Sequence, residues 1–237
     1  MHSNPKDQHL TQLARAAEMA LTNAEDLFRE ATILFAAGAF SRTLFLHQIS
    51  MEECGKIEIL GGWASSHLMG FSSNQRKVEM ALASHKAKNF ANAYLLPVSD
   101  AEQNARDDSD WEATVTAFNQ QQTDFHNESN ARKNAALYVD FSAGACQAPR
   151  DMITREMCEE IAARNAEFLQ LVGPKVAMLS RWASAQDETR QTHEFFKTRI
   201  EELKQQMPDE PTKVIDRIME ELLVRALMIK REAGSAE

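Results

Sequence analysis

Leucine and alanine recur at spacings of three and four along the early chain: Leu10, Leu13, Ala17, Ala20, Ala24, Leu27, Ala31 and Leu34. Only a period near 3.6 keeps these positions on one face, so the segment is committed to a long helix. The small alanines in the seam let a partner helix come close. Breakers are scarce throughout, with 8 Gly and 6 Pro in 237 residues. Long periodic runs with few breakers predict an all-α protein. Gly38 is placed to end the first helix, and Thr22–Asn23 is the expected place for a kink or for a separation into two collinear helices.

A second helix is expected from Phe40 to Leu60, stopped by Gly61–Gly62 and forming an antiparallel hairpin with the first. Phe40, Leu44, His47, Met51 and Cys54 make one stripe; Phe45, Ile49, Glu52, Lys56 and Ile59 make the next. A third helix is expected over Asn74–Leu95, capped by Ser72 or Ser73, with Met80, Ala83, Ala87, Phe90 and Tyr94 as its apolar seam. The polar stretch 96–110 reads as a loop with at most one weak helical turn. A fourth helix runs from Asp110 or Trp111 to Ala136, and 137–149 reads as extended. Helices then follow over Asp151–Val172, broken by Gly173–Pro174, over Val176–Gln206 with an interruption near Ala185–Asp187, and over Pro211–Arg231. That last helix has an apolar face of Val214, Ile218, Leu222 and Leu227. The organisation expected is a helical bundle over 1–150 and a C-terminal helical extension over 151–237, packing on the bundle or on a dimer partner.

The net charge of −9 argues against a broad basic coat for nucleic acid, though not against a local basic cleft. Three cysteines, Cys54, Cys146 and Cys158, contain no Cys-x-x-Cys pair. Free thiols in a reducing compartment are the reading, with no structural zinc. The first residues lack the basic start and apolar run of a secretory signal, and no apolar run approaches the roughly 18 residues of a membrane span. A cytoplasmic protein that makes no use of a membrane is expected, with no cofactor and no metal.

Three segments carry chemistry. In "MEECGK", Glu52 and Lys56 are four apart and can pair, while Glu53 lies about 100° round the helix axis. An ordinary ion pair is the plain reading; a buried polar site between helices is the functional one. In "SHKAKN", His85 and Lys88 share a helix face, an acid or base beside a cation that suits a phosphate. In "ARKNAALYVDF", Arg132 and Lys133 near a helix end can serve its dipole, or Lys133, Asn134 and Tyr138 can face an inter-helix cleft. No Glu-x-x-His pairs, His-Glu-x-x-His, P-loop or Gly-x-Gly-x-x-Gly is present.

Together these segments resemble the AbiV-type HEPN proteins, the abortive infection proteins of bacteria. The matching residues are Ser50, Glu52, Glu53, Gly55 and Lys56; then His85, Lys86 and Lys88; then Leu137, Tyr138, Val139 and Asp140 with Pro149 downstream. The resemblance covers roughly residues 20–170. It implies a HEPN-like antiparallel helical bundle, a homodimer, and a role in defence against phage by arresting growth or translation in infected cells.

Many HEPN proteins are metal-independent ribonucleases whose signature is an Arg, a polar residue, then a His. This chain has Lys133 and Tyr138 where that Arg and His are expected, so His85 is the candidate to supply the imidazole from a neighbouring helix. As an endoribonuclease site, His85, Lys133, Tyr138 and Glu53 would be catalytic. Lys56, Lys88, Asn134 and Arg132 would bind RNA phosphates, and Glu52 would support the cleft. The alternative is a non-catalytic protein that inhibits translation by engaging a ribosomal or phage partner. The partners implied are a second copy of the chain, RNA or a ribosome-associated target, and a phage-encoded trigger.

Overall fold

The computed structural model describes residues 5–142, 145–208, 210, 213–214, 217–218 and 221. Its elements in order are α1 (Pro5–Ala36), α2 (Phe40–Leu68), α3 (Gln75–Ala83), α4 (His85–Asn92), α5 (Asp100–Asp107) and α6 (Trp111–Leu137). Then come β1 (Asp140–Ser142), β2 (Ala145–Gln147), α7 (Pro149–Met152), α8 (Arg155–Ser184) and α9 (Gln186–Gln206). The fold is all-α, with one small antiparallel hairpin in which Phe141 faces Cys146. The chain forms two compact units, residues 1–97 with 119–186 and residues 98–118 with 187–237.

In the first unit α1 is one continuous helix through Thr22–Asn23. Thr22 simply bonds back to the Glu18 carbonyl at 3.1 Å on the exposed side, leaving the seam undisturbed. Leu10, Leu13, Ala17, Ala20, Ala24 and Ala31 are buried as the spacing predicts. Gly38, at φ +74°, ends the helix. Its amide bonds Phe35 O at 3.0 Å and the Ala39 amide bonds Leu34 O at 2.9 Å. This is a Schellman closure, which a glycine enters without steric cost.

Helix α2 runs through Gly61–Gly62, where a stop was expected, and closes the same way at Gly70, also at φ +74°. Glycine within a helix costs about 1 kcal/mol but does not terminate it. Ala64 and Leu68, buried beyond the pair, hold the extra turns. Helices α1, α8 and α4 all pack on α2. It is therefore the central helix, and every residue from Ser50 to Gly55 is buried.

The expected third helix is two helices. Ser84 sits in extended backbone (φ −87°, ψ 120°) and its Oγ accepts the Ala87 amide at 3.2 Å, capping α4. Such a cap is worth about 1 kcal/mol and re-aims the chain. The expected apolar seam fails with it: Met80 and Tyr94 are exposed, while Lys88, Asn89 and Asn92 are buried. Asn74 rather than Ser72 or Ser73 caps α3, accepting from the Lys77 amide at 3.1 Å.

Helix α8 passes through Gly173–Pro174 unbroken. Its seam of Phe168, Val172, Val176 and Leu179 is buried on both sides of the pair, so tertiary packing overrides the local breakers. The break comes at Ala185 instead. Helix α8, expected to open a C-terminal extension, packs within the first unit on α1 and α2.

In the second unit, 100–107 is a formed helix where a loop was expected; Ser99 caps it by accepting the Glu102 amide at 3.2 Å. Leu203, Val214 and Ile218 form a small core of their own. Residues 213–214, 217–218 and 221 are helical, while Leu222 and Leu227 of the expected last helix lie outside the described residues.

Because α2 is central, its polar groups need partners inside the fold. Ser50 Oγ donates to the Ala24 carbonyl of α1 at 2.7 Å and lies 3.2 Å from Asn165 Oδ1 of α8. Asn165 Nδ2 meets His47 Nδ1 at 3.1 Å, and the His47 ring stands edge-on to Phe28. Burial lowers the His47 pKa to about 4. The native state therefore holds His47 neutral where the unfolded chain, with a value near 6.5, binds a proton. This contribution is complete above pH 6.5 and is lost as pH falls towards 4. Urea unfolding is expected to show about 3 kcal/mol less stability at pH 4 than at pH 7 from this group. A His47→Gln variant should lose that slope.

Candidate functional site

The centre of α2 carries a buried carboxylate that gathers three cationic or ionisable side chains from two other helices. Glu52, 2% exposed, accepts from Lys133 Nζ of α6 through Oε1 at 2.8 Å. Its Oε2 meets Lys88 Nζ of α4 at 2.8 Å and His85 Nδ1 of α4 at 2.5 Å. Lys88 and Lys133 are themselves buried. Burial would push the Glu52 carboxyl up, but hydrogen bonds from Lys133, Lys88 and His85 outweigh it and hold the value below its usual range. The carboxylate is therefore charged at neutral pH.

Local sequence explains each position. The Ser84 cap places His85 and Lys88 on the first turn of α4, one turn apart. Gly55 lets α4 come close: a Cβ there would collide with the Lys88 carbonyl, whose carbon would be only 2.9 Å away. Asn92 Nδ2 donates to the Met51 carbonyl at 2.8 Å and fixes the other end of α4 on α2. On α6, Phe125, Ser129, Lys133 and Ala136 form the buried face, which delivers Lys133 to Glu52.

The Ser50, Glu52, Glu53, Gly55, Lys56 pattern is therefore the contact face of a central helix. Ser50 binds α1, Glu52 holds α4 and α6, and Gly55 admits α4. Glu53 pairs with Lys56 at 2.6 Å, beside the cluster but not joined to it.

The structure brings together four of the residues singled out from sequence: Glu52, His85, Lys88 and Lys133. It does not bring Asn134 or Tyr138 to them. Both are exposed, Asn134 near the end of α6 and Tyr138, at 61%, in the residue after it. Asn134 lies about 100° round α6 from Lys133. Arg132 is occupied by Glu128 at 2.8 Å and Glu160 at 3.2 Å, so it joins α6 to α8.

One neighbour was missed from the sequence. His126, two helical turns before Lys133 on the same face of α6, meets Asn89 of α4 at 3.3 Å through Nδ1. The spacing of seven to Lys133 was the available signal. Among the described residues no group of His, Cys, Asp or Glu is arranged to hold a metal, and no helix is long and apolar enough to cross a membrane. Burial, then Glu53 and Glu58, push the Cys54 thiol up to about 12, and burial pushes Cys158 up to about 11. Neither is poised as a nucleophile.

These features define an all-helical bundle organised round a polar cluster on its central helix. The AbiV family of HEPN proteins matches residues 12–170, and the chain belongs to that family, the abortive-infection type. The match takes in Glu52, His85, Lys88 and Lys133 and ends inside α8. The chain is also 44% identical over 108 residues to a Sinorhizobium fredii protein designated "Uncharacterized protein y4gJ", an alignment covering 46% of this chain. The chain spans 56% of that relative's length. No solved structure matches.

Proposed function

We propose that this protein is an anti-phage effector of the abortive-infection type that arrests growth by cleaving RNA, with His85 transferring protons at the scissile phosphate. One observation carries the reading. His85 is 59% exposed at its side chain while its Nδ1 is fixed at 2.5 Å by a buried carboxylate. A ring anchored at one nitrogen and open at the other is oriented for proton transfer. Glu52 acts as the positioning residue. Lys88 and Lys133 hold Glu52 rather than a phosphate, since each is buried in its ion pair. Asn134 and Tyr138 have no part in this arrangement. A homodimer, an RNA or ribosome-associated target and a phage-encoded trigger complete the reading.

The burial of both lysines favours a second reading, in which the cluster holds the helices in register and the protein acts by binding a ribosomal or phage partner. Inducible expression in bacteria separates the two. Wild-type protein is expected to stop growth and to leave cleaved tRNA or mRNA, and His85→Ala to do neither while retaining its melting temperature. Growth arrest with intact RNA would remove the cleavage reading and leave the binding one.

A further inference from the structure

We infer that a cavity at the start of α2 binds the phosphate group of a small phosphorylated ligand. The cavity, of about 320 Å³, lies between the α1–α2 turn and the start of α7, and residues 38–42 and 148–150 line it. That volume falls at the low end of the range for small-molecule sites. Ser41 and Glu52 are eleven residues apart on α2, about 16 Å along its axis, so the cavity is separate from the Glu52 cluster. The inference goes beyond the cleavage reading and does not depend on it.

Two guanidinium groups line the cavity from separate parts of the chain. Arg42 is exposed and has no ion-pair partner among the described residues. Arg150 has Asp151 at 3.6 Å, with the two side chains 87% and 63% exposed. An exposed pair of that length is worth little in water, so the Arg150 fork is open to a better acceptor. Among the described residues no carboxylate lines the cavity. Two arginines meeting at such a cavity, in a chain of net charge −9, are suited to an anion brought from outside.

The backbone between the arginines adds donors. Thr43 is the first residue of the helix whose amide bonds back, to Ala39 O at 3.0 Å. The amides of Phe40, Ser41 and Arg42 and the Ser41 hydroxyl have no acceptor among the described residues. The first turn carries no acidic side chain. Free amides and the helix dipole both favour a negative group at this place. The frame is fixed before a ligand arrives: Thr43 Oγ1 bonds Ala39 O at 3.2 Å, and Cys158 Sγ of α8 donates to Phe40 O at 3.2 Å. Phe40 and Pro149 give the cavity an apolar wall for the carbon part of a phosphate ester.

The test is titration calorimetry on purified full-length protein. The probes are the ribonucleoside 5′-monophosphates, their nucleosides, and a short 2′-O-methyl RNA with either a 5′-phosphate or a 5′-hydroxyl, a strand that no 2′-hydroxyl attack can cut. Wild type is expected to bind at least one phosphorylated probe with a Kd below about 1 mM, and its unphosphorylated counterpart about tenfold more weakly or worse. A monophosphate that binds assigns the phosphate to a free nucleotide; a phosphorylated strand that alone binds assigns it to an RNA end. The double variant Arg42→Ala, Arg150→Ala is expected to weaken binding by about tenfold or more. Should it fail to fold, Ala39→Asp decides: it sets a carboxylate in the cavity where the helix dipole tolerates one, and the same loss is expected at an unchanged melting temperature. His85→Ala is expected to bind as wild type does, which keeps this result distinct from that of the cleavage reading. No phosphorylated probe bound below about 1 mM overturns the proposal. So does binding that survives the folded variants unchanged, that needs no phosphate, or that is lost with His85.

Discussion

Replacing Gly55 by alanine is expected to destabilise the protein by about 3 kcal/mol and to detach α4 from α2. The added Cβ would meet the Lys88 carbonyl, backbone on backbone, with Asn92 Oδ1 at 3.1 Å on the other side. A flexible side chain could swing away; the backbone of a capped helix cannot. Relief requires α4 to move outward as a body, carrying His85 and Lys88 from Glu52. Urea unfolding measures the loss. Gly61→Ala, in the same helix, supplies a control of opposite sign. Nothing lies within 4 Å of a Cβ at that position. It is expected to gain about 0.5 kcal/mol, because alanine loses less backbone freedom in a helix. A Gly55→Ala protein as stable as wild type would mean that the contact of α2 with α4 is not close.

The seam of α1 was legible because its period is helical and one face is buried. The centre of α2 was not, because a helix buried on all sides carries no amphipathic pattern to read. Helix α4 misled more actively. Met80 on α3 and Tyr94 just past α4, both assigned to the expected seam, are exposed, while Lys88, Asn89 and Asn92 of α4 are buried. The inversion follows from what α4 packs against: Lys88 meets the Glu52 carboxylate, Asn92 the Met51 carbonyl and Asn89 the His126 ring, so polarity ceased to mark the surface. His85, Lys88, Lys133 and Glu52 were found by residue type and assembled by the fold. Tyr138 was chosen by its spacing from Lys133, but α6 ends one residue before it and it is exposed. The single residue that separated one expected helix into two is Ser84; serine favours caps but is also tolerated within helices, so its type alone did not mark the break.

Glu52→Gln is expected to cost about 4 kcal/mol. The amide keeps the shape and removes the charge, leaving Lys88 and Lys133 buried at 6% and 7% exposure with no carboxylate. The same carboxylate, held below its ordinary range, contributes stability above the unfolded value and loses it as pH falls through the folded one. The loss on Glu52→Gln should therefore shrink in acid. The triple variant Glu52→Leu, Lys88→Met, Lys133→Met removes all three charges together. It is expected to recover most of the stability, because an apolar core of similar volume avoids the desolvation that the ion cluster must offset. That variant then separates structure from chemistry. A folded triple variant that still arrests growth assigns the cluster to holding helices in register. A folded triple variant that no longer cleaves RNA, with His85 present but its anchoring carboxylate gone, assigns the cluster to orienting that imidazole.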